Sequence, residues 1–140
     1  MIIGYFPAFL NGQGLPNTNI LLFDLVKASE GFSLGNPQFL TAWNRDGYNN
    51  QPAWVGDEKL LLTVGQRSDT TQTEIWELDL AARTLLQVTE SVESEFSPTP
   101  MTDGRHFSSV LIEKDGAETQ RLWEFPLDRS AATVIITPGQ

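Results

Sequence analysis

Residues 51–80 read QPAWVGDEKLLLTVGQRSDTTQTEIWELDL, and the same pattern returns at 97–127 as SPTPMTDGRHFSSVLIEKDGAETQRLWEFPL. The register of this internal repeat follows by subtraction: Pro98 minus Pro52 is 46, Trp123 minus Trp76 is 47, and Thr137 minus Thr89 is 48. A period of roughly 40–50 residues matches a four-stranded propeller blade. Within each copy the chain alternates short apolar runs with turn signals. PAWV and the apolar run Leu60–Val64 flank a turn at Gly56–Lys59, and Asp103-Gly104 and Asp115-Gly116 mark two more tight turns, where Gly accepts positive φ and Asp bonds its own backbone. The runs are short and rich in Val, Ile, Leu, Phe, Thr and Trp, as strands are. No helix is expected: Lys27–Glu30 comes nearest, and Gly31 ends it within a turn.

Working outward, NILLFDL from Asn19 matches TEIWELDL at one constant offset of 55, through Ile20/Ile75, Phe23/Leu78, Asp24/Asp79 and Leu25/Leu80. RLWEFPL from Arg121 is the third copy. Each is followed by a shorter apolar segment ending in threonine: QFLT to Thr41, LLQVT to Thr89 and TVIIT to Thr137. These are the two outer strands of three successive blades, and only the second and third copies carry the inner pair. The expected organisation is therefore an apolar N-terminal segment at 1–18, then a repeat region at 19–140 divided into a half blade at 19–41 and full blades at 50–89 and 96–137. The N-terminal MIIGYFPAFL reads as a secretory remnant or as a tail; it lacks a basic n-region, and Pro7 argues against a central strand or a good helix.

The totals narrow the function classes. The 140 residues carry 18 acidic and 9 basic side chains, a net charge of −9, which repels phosphate backbones and anionic headgroups. Nucleic acid is excluded as a partner on this ground. There is no cysteine, so neither a disulfide framework nor a thiolate metal site is available. No apolar run reaches the length of a membrane-spanning helix.

At this point the residues resemble the propeller repeats of TolB-like proteins, P-x-[FW]-x-x-D-[GE]-[KR] before an apolar strand and I-[YW]-x-[LFM]-D-L after it. Pro52, Trp54, Asp57, Glu58 and Lys59, then Ile75, Trp76, Leu78, Asp79 and Leu80, match in one copy. Pro98, Asp103, Gly104, Arg105, Leu122, Trp123, Phe125 and Leu127 match in the next. Pro100 and Pro126 depart from the pattern; Pro126 predicts a strand bent or unpaired there. The resemblance implies an all-β fold of four-stranded antiparallel blades, six in a complete ring, and a periplasmic or otherwise extracytoplasmic location, with the cytoplasm left open. It implies a non-catalytic scaffold for a protein or peptide partner; the alternative is the propeller that precedes the catalytic domain of a prolyl-oligopeptidase-type serine peptidase, that domain lying outside these residues.

Motifs that carry chemistry weigh against catalysis. Gly31-Phe32-Ser33-Leu34-Gly35 spells the nucleophile elbow G-x-S-x-G, but an elbow needs a helix directly after the serine. Asn36-Pro37 stands there instead, and the five residues read as a Gly-rich inter-strand loop. His106 is the one histidine, next to a turn, and reads as a half-exposed strand residue. Glu90, Glu93 and Glu95 read as a solvated link between blades. Trp76 and Trp123 occupy equivalent strand positions and read as packing between blades, as do Trp43 and Trp54 more loosely. No catalytic residue, cofactor-binding residue, metal ligand or cofactor is expected. Two and a half blades cannot close a ring, so the chain is expected to be part of a longer polypeptide or a homo-oligomer, with Phe23, Leu25, Val110 and Leu111 on exposed terminal faces.

Overall fold

The computed structural model describes residues 14–66, 71–114 and 119–130, together with the backbone of 134–135. Among the described residues ten strands form three antiparallel sheets. β1 (Leu21–Lys27) and β2 (Phe32–Phe39) make a hairpin; β3 (Tyr48–Val55), β4 (Lys59–Gly65), β5 (Glu74–Asp79) and β6 (Thr84–Gln87) make a four-stranded sheet in that order. β7 (Ser94–Pro100), β8 (His106–Glu113), β9 (Thr119–Pro126) and β10 (Val134–Ile135) repeat the same order. This is the meander of a propeller blade, present twice in full and once as its outer half.

Turn chemistry closes the hairpins. Gly56 and Gly104 take φ of 64° and 68°, which glycine reaches without the clash that a Cβ brings. At the second turn the Asp103 carboxylate accepts the backbone N–H groups of Arg105 (2.9 Å) and His106 (3.1 Å), holding the chain in register for β8. A second device sits in all three sheets. Asn36, Gln51 and Ser97 adopt φ of 48°, 52° and 56°, each directly before a proline and each where the strand register shifts. An extra residue in one strand of a pair bends it and leaves one residue outside the ladder.

The unbroken apolar run of β4 is explained by its position between two cores. Leu60, Leu62 and Val64 point to one side and pack with Ile20 and Leu78, while Leu61 points to the other and joins Ile75, Phe107, Leu111 and Phe125. Phe107 and Phe125 stack with ring centroids 5.3 Å apart. Burying such a side chain contributes roughly 1.5–3 kcal/mol, and β4 buries apolar side chains on both faces. Between the innermost strands, Gln51 accepts from Thr63 Oγ1 (2.8 Å) and from the Ser97 amide (2.9 Å), and donates to Ser97 Oγ (2.9 Å). The two bulges are thus stitched together across the blade boundary.

Several expectations need correction. Residues 31–35 are not a loop: Phe32–Gly35 belong to β2, because alternation of Phe32 and Leu34 with polar neighbours suits a strand and the turn lies earlier, with Gly31 at φ 89°. Lys27 ends β1 and is followed by a bend. Pro126 is not unpaired; it is the last residue of β9, opposite His106. Leu111 is buried in the second core, and Val110 is half-buried, whereas Phe23 and Leu25 are exposed. Thr18, one residue before the expected start of the repeat region, is tied to it by a bond from its amide to Gly47 O (3.1 Å). The strands of the two full sheets begin at Tyr48 and Ser94, each two residues ahead of the expected blade starts. The Asp115-Gly116 turn, Thr137 and residues 1–13 lie outside the described residues.

Candidate functional site

The strands place two kinds of connection at opposite ends. One end carries the tight turns at 56–58, 80–83 and 101–105; the other carries 40–47, the link after β4 and the link 88–93. Polar side chains concentrate at the second end, and the repeat builds them twice. In the first copy the Ile20 amide donates to Thr41 Oγ1 (3.1 Å), whose hydroxyl donates to Asn19 Oδ1 (3.1 Å). In the second the Ile75 amide donates to Thr89 Oγ1 (2.8 Å), whose hydroxyl donates to Glu74 Oε2 (2.9 Å). Thr41 and Thr89, the terminal threonines of the first two apolar segments, are therefore buried pins for their neighbouring strands.

The same duplication sets Asn49 against Glu95, 46 residues on. The Asn49 amide nitrogens donate to Thr18 Oγ1 (3.0 Å) and Thr18 O (2.8 Å), and its side chain exchanges bonds with Asn44, accepting from Asn44 Nδ2 at 3.0 Å and donating to Asn44 O at 2.9 Å. Glu95 donates its backbone N–H to Thr73 O (2.9 Å), and its carbonyl accepts from Thr73 Oγ1 (2.7 Å). Its carboxyl accepts from Ser91 Oγ at 2.5 Å and meets Thr89 Oγ1 at 3.3 Å. Thr18 and Thr73 differ by the same offset of 55 as Ile20 and Ile75. A carboxyl thus occupies the place of an amide. It is fully buried, contrary to the solvated link expected for Glu90, Glu93 and Glu95. Burial pushes its pKa up to about 8, reinforced by the hydrogen bond and charge of the neighbouring Glu74 carboxyl. Among the described residues Glu74 is the charged group acting on it. The protonated acid is isoelectronic with the amide it replaces, so at neutral pH the site keeps a neutral, hydrogen-bonded side chain where an isolated charge would cost several kcal/mol.

Over this buried layer the link 88–91 forms the wall between two clefts. One, of about 280 Å³, is lined by Val64, Gln66, Gln72, Glu74, Trp76, Glu90 and Ser91. The other, of about 310 Å³, lies between Val88–Ser91 and the segment Phe125, Pro126, Arg129 and Ser130. Gln72 fixes the first cleft by donating to Glu74 Oε1 (2.8 Å) and to the Ser91 carbonyl. Trp76 forms its aromatic side and stacks on Trp43 with centroids 5.4 Å apart. Trp76 is half-buried, packing on the first core between Ile20 of the first copy and the apolar side chains of β4, and Trp43 and Trp54 are exposed. Trp123, at the equivalent position, packs on the second core and donates Nε1–H to Glu113 Oε1 (3.1 Å), while the other oxygen of that carboxylate pairs with Arg121 (3.0 Å).

The residues singled out by motif fall elsewhere. Ser33 is exposed inside β2, with strand on both sides of it. His106 is half-exposed at the tight-turn end, where Nδ1 lies 2.5 Å from Asp103 Oδ2 and 3.6 Å from Glu124. The Asp103 bond holds His106 above the ordinary imidazole range, and the His106 bond first of all holds Asp103 down to about 2. Among the described residues no group of three His, Asp or Glu side chains is arranged for a metal ion, and no helix is long and apolar enough to cross a membrane. The feature that motif reading missed is Glu95, and the signal for it was available: the offset of 46 that relates Pro52 to Pro98 also carries Asn49 onto it.

No protein-family model matches the chain, and no curated protein matches it. Among solved structures it is similar to one provisionally assigned as TolB, from Agrobacterium tumefaciens, with a TM-score of 0.61 and 17% identity, covering 85% of this chain and 42% of that one. The chain spans less than half the length of that structure. The likeness shows the fold: antiparallel sheets that are partial β-propeller blades of the TolB-like kind.

Proposed function

We propose that the chain is a non-catalytic binding scaffold, part of a TolB-like β-propeller outside the cytoplasm, which meets a protein or peptide partner at the end carrying the link 88–93. The observation that supports this reading is the cleft walled by Trp76, Gln72, Glu74 and Ser91. It combines an aromatic side with amide, hydroxyl and carboxyl groups, the mixture by which concave sites hold polar ligands in one orientation. Its Glu74 and Ser91 side chains are held by bonds to Thr89 and Glu95, which supports a cleft formed before a ligand arrives, and preformed sites lose less on binding. Neither Ser33 nor His106 lines it. The test pairs two assays: turnover of generic ester and dipeptidyl substrates, and amide-shift mapping of the labelled chain with a mixed-sequence peptide library. No turnover is expected, and shifts should centre on Gln66, Gln72, Glu74 and Ser91. Turnover abolished by Ser33→Ala or His106→Ala, or shifts confined to 100–106, overturns the reading.

A further inference from the structure

The cleft beside Trp76 and the link 88–91 is one-sided in its hydrogen-bonding capacity. Gln72 commits its amide N–H groups to Glu74 Oε1 (2.8 Å) and to the Ser91 carbonyl. The Ser91 hydroxyl donates to Glu95 Oε1 (2.5 Å), and the Ser91 backbone N–H to Glu74 Oε1 (3.3 Å). The donors of these two residues are therefore spent inside the protein, and what they leave over is acceptor capacity, chiefly the Gln72 amide oxygen. Glu90 adds to it: it is exposed, lines the cleft, and among the described residues its carboxylate enters no hydrogen bond or ion pair. Glu74, whose oxygens already accept from Gln72, Ser91 and Thr89, contributes negative charge. Of the basic side chains among the described residues none lines the cleft; Lys59 pairs with Glu77 and Arg121 with Glu113. Trp76 supplies the aromatic wall, backed by its stack on Trp43.

We propose, resting on the reading of this cleft as the partner site, that its occupant is an arginine side chain of the partner, with the guanidinium against the Trp76 ring and its N–H groups on Glu90 and the Gln72 amide oxygen. A site rich in acceptors calls for a group rich in donors, and guanidinium brings five N–H groups, no acceptor and a permanent positive charge. Its plane stacks on an aromatic face, and tryptophan is the ring that attracts a cation most strongly. Its fork matches a carboxylate in a way that the ammonium of lysine does not. The cleft volume of about 280 Å³ falls just short of the roughly 300–1,000 Å³ of small-molecule sites, a size for one side chain rather than a drug-sized ligand. An acidic side chain would meet two carboxylates with the donors of Gln72 and Ser91 already spent. An aliphatic one would strip water from Glu74 and Glu90 and return no bond. The net charge of −9 draws a basic partner toward the chain from beyond contact range.

Amide-shift titrations of the labelled full chain test this with three end-blocked tripeptides, Gly-X-Gly, in which X is arginine, lysine or the neutral isostere citrulline. The arginine peptide should move the amides of Gln66, Gln72 and Ser91, with binding that weakens from low to high salt as the attraction is screened. Citrulline should bind at least about tenfold more weakly, since it forfeits both the ion pair and the cation–π contact, and lysine should fall between the two. Glu90→Gln, at an exposed position with no bond to lose, should weaken the arginine peptide about 2–5-fold and leave the melt unchanged. Equal binding of citrulline, or of lysine, overturns the inference while the cleft stands as a peptide site. An arginine peptide that shifts amides elsewhere on the chain overturns it too, as does indifference to Glu90→Gln. Binding that emerges only in Arg67→Gln also overturns it, because the chain itself then supplies the guanidinium. If neither these peptides nor the mixed-sequence library moves the cleft amides, the reading of the cleft as a partner site falls with it.

Discussion

Replacing Glu95 by Gln isolates the titration of one buried acid. In the folded chain this carboxyl holds its proton up to about pH 8, against an ordinary value of 4.5. Below 4.5 both folded and unfolded chains carry the proton, and the stabilisation is fully present. As pH rises from 4.5 the unfolded chain releases it while the folded chain retains it, so stability falls until about pH 8. The slope is at most about 1.4 kcal/mol per pH unit. Relaxation of the site as the carboxyl ionises spreads the transition and reduces the slope, leaving a total on the order of 3–4 kcal/mol, or roughly 10 °C in melting temperature for a chain of this size. Glu95→Gln preserves the oxygen that accepts from Ser91 and the neutral donor that stands where Asn49 stands in the first copy, and it cannot titrate. Thermal and urea melts of both proteins from pH 4 to 9 should therefore converge near pH 4.5 and separate steadily above it, with the variant the more stable at pH 8. Taking the difference between the two curves removes the shared contributions of His106 and Asp103. Parallel curves, or a variant destabilised equally at every pH, would refute the account of Glu95 as a neutral acid in an amide's place.

Two further substitutions probe the scaffold. Gly104→Val should destabilise the chain by about 1 kcal/mol or a little more, all of it from backbone strain, because a Cβ at φ 68° meets no atom within 4 Å; an unchanged urea midpoint would contradict the turn geometry. Gln51→Ala removes the side chain that joins Thr63 to the Ser97 amide across the blade boundary and leaves the longer bond from that amide to Thr63 Oγ1 (3.2 Å) in its place; the lost bonds cost about 0.5–1.5 kcal/mol, and hydrogen exchange at Ser97 should accelerate correspondingly.

The repeat was legible because its markers are local. The proline within a bulge and the Asp-Gly of a turn do their work within a few residues, and the threonines that close the apolar segments recur at a fixed interval, so spacing alone recovered the strand order. β4 was legible as a strand for another reason: three consecutive leucines bounded by turns fit a strand buried on both sides. The failures arose where burial is decided at long range. Glu95 sits in a run with Glu90 and Glu93 and looks solvated; what buries it is Thr73, 22 residues earlier in the chain, and the hydroxyls of Ser91 and Thr89. Residues 32–35 looked like a loop because two glycines frame the serine, yet Gly35 pairs with Asp24 within the ladder. Trp76 was read as packing between blades, and it does lie against Ile20 and the leucines of β4; what the sequence did not show is its stacking on Trp43, from the connection before β3, and its place at the edge of a cleft.

The positive-φ residue before proline has a consequence for solubility. In β3 and β7, the strands at the free edge of the four-stranded sheets, the bulge with Pro52 or Pro98 removes an amide donor and twists the edge away, so neither can template a further strand. β2 carries the same device at Asn36-Pro37, and β6, at the other edge of its sheet, is only four residues long. β1 alone among these edges is unguarded: LLFDLVK contains no proline, is mostly apolar, and its Asp24 and Lys27 cancel. A chain heated until its hairpin loosens will present that seven-residue segment as the nucleus of cross-β growth, so precipitates formed near the melting temperature should be fibrillar, and their kinetics should answer to changes in β1 before any other strand.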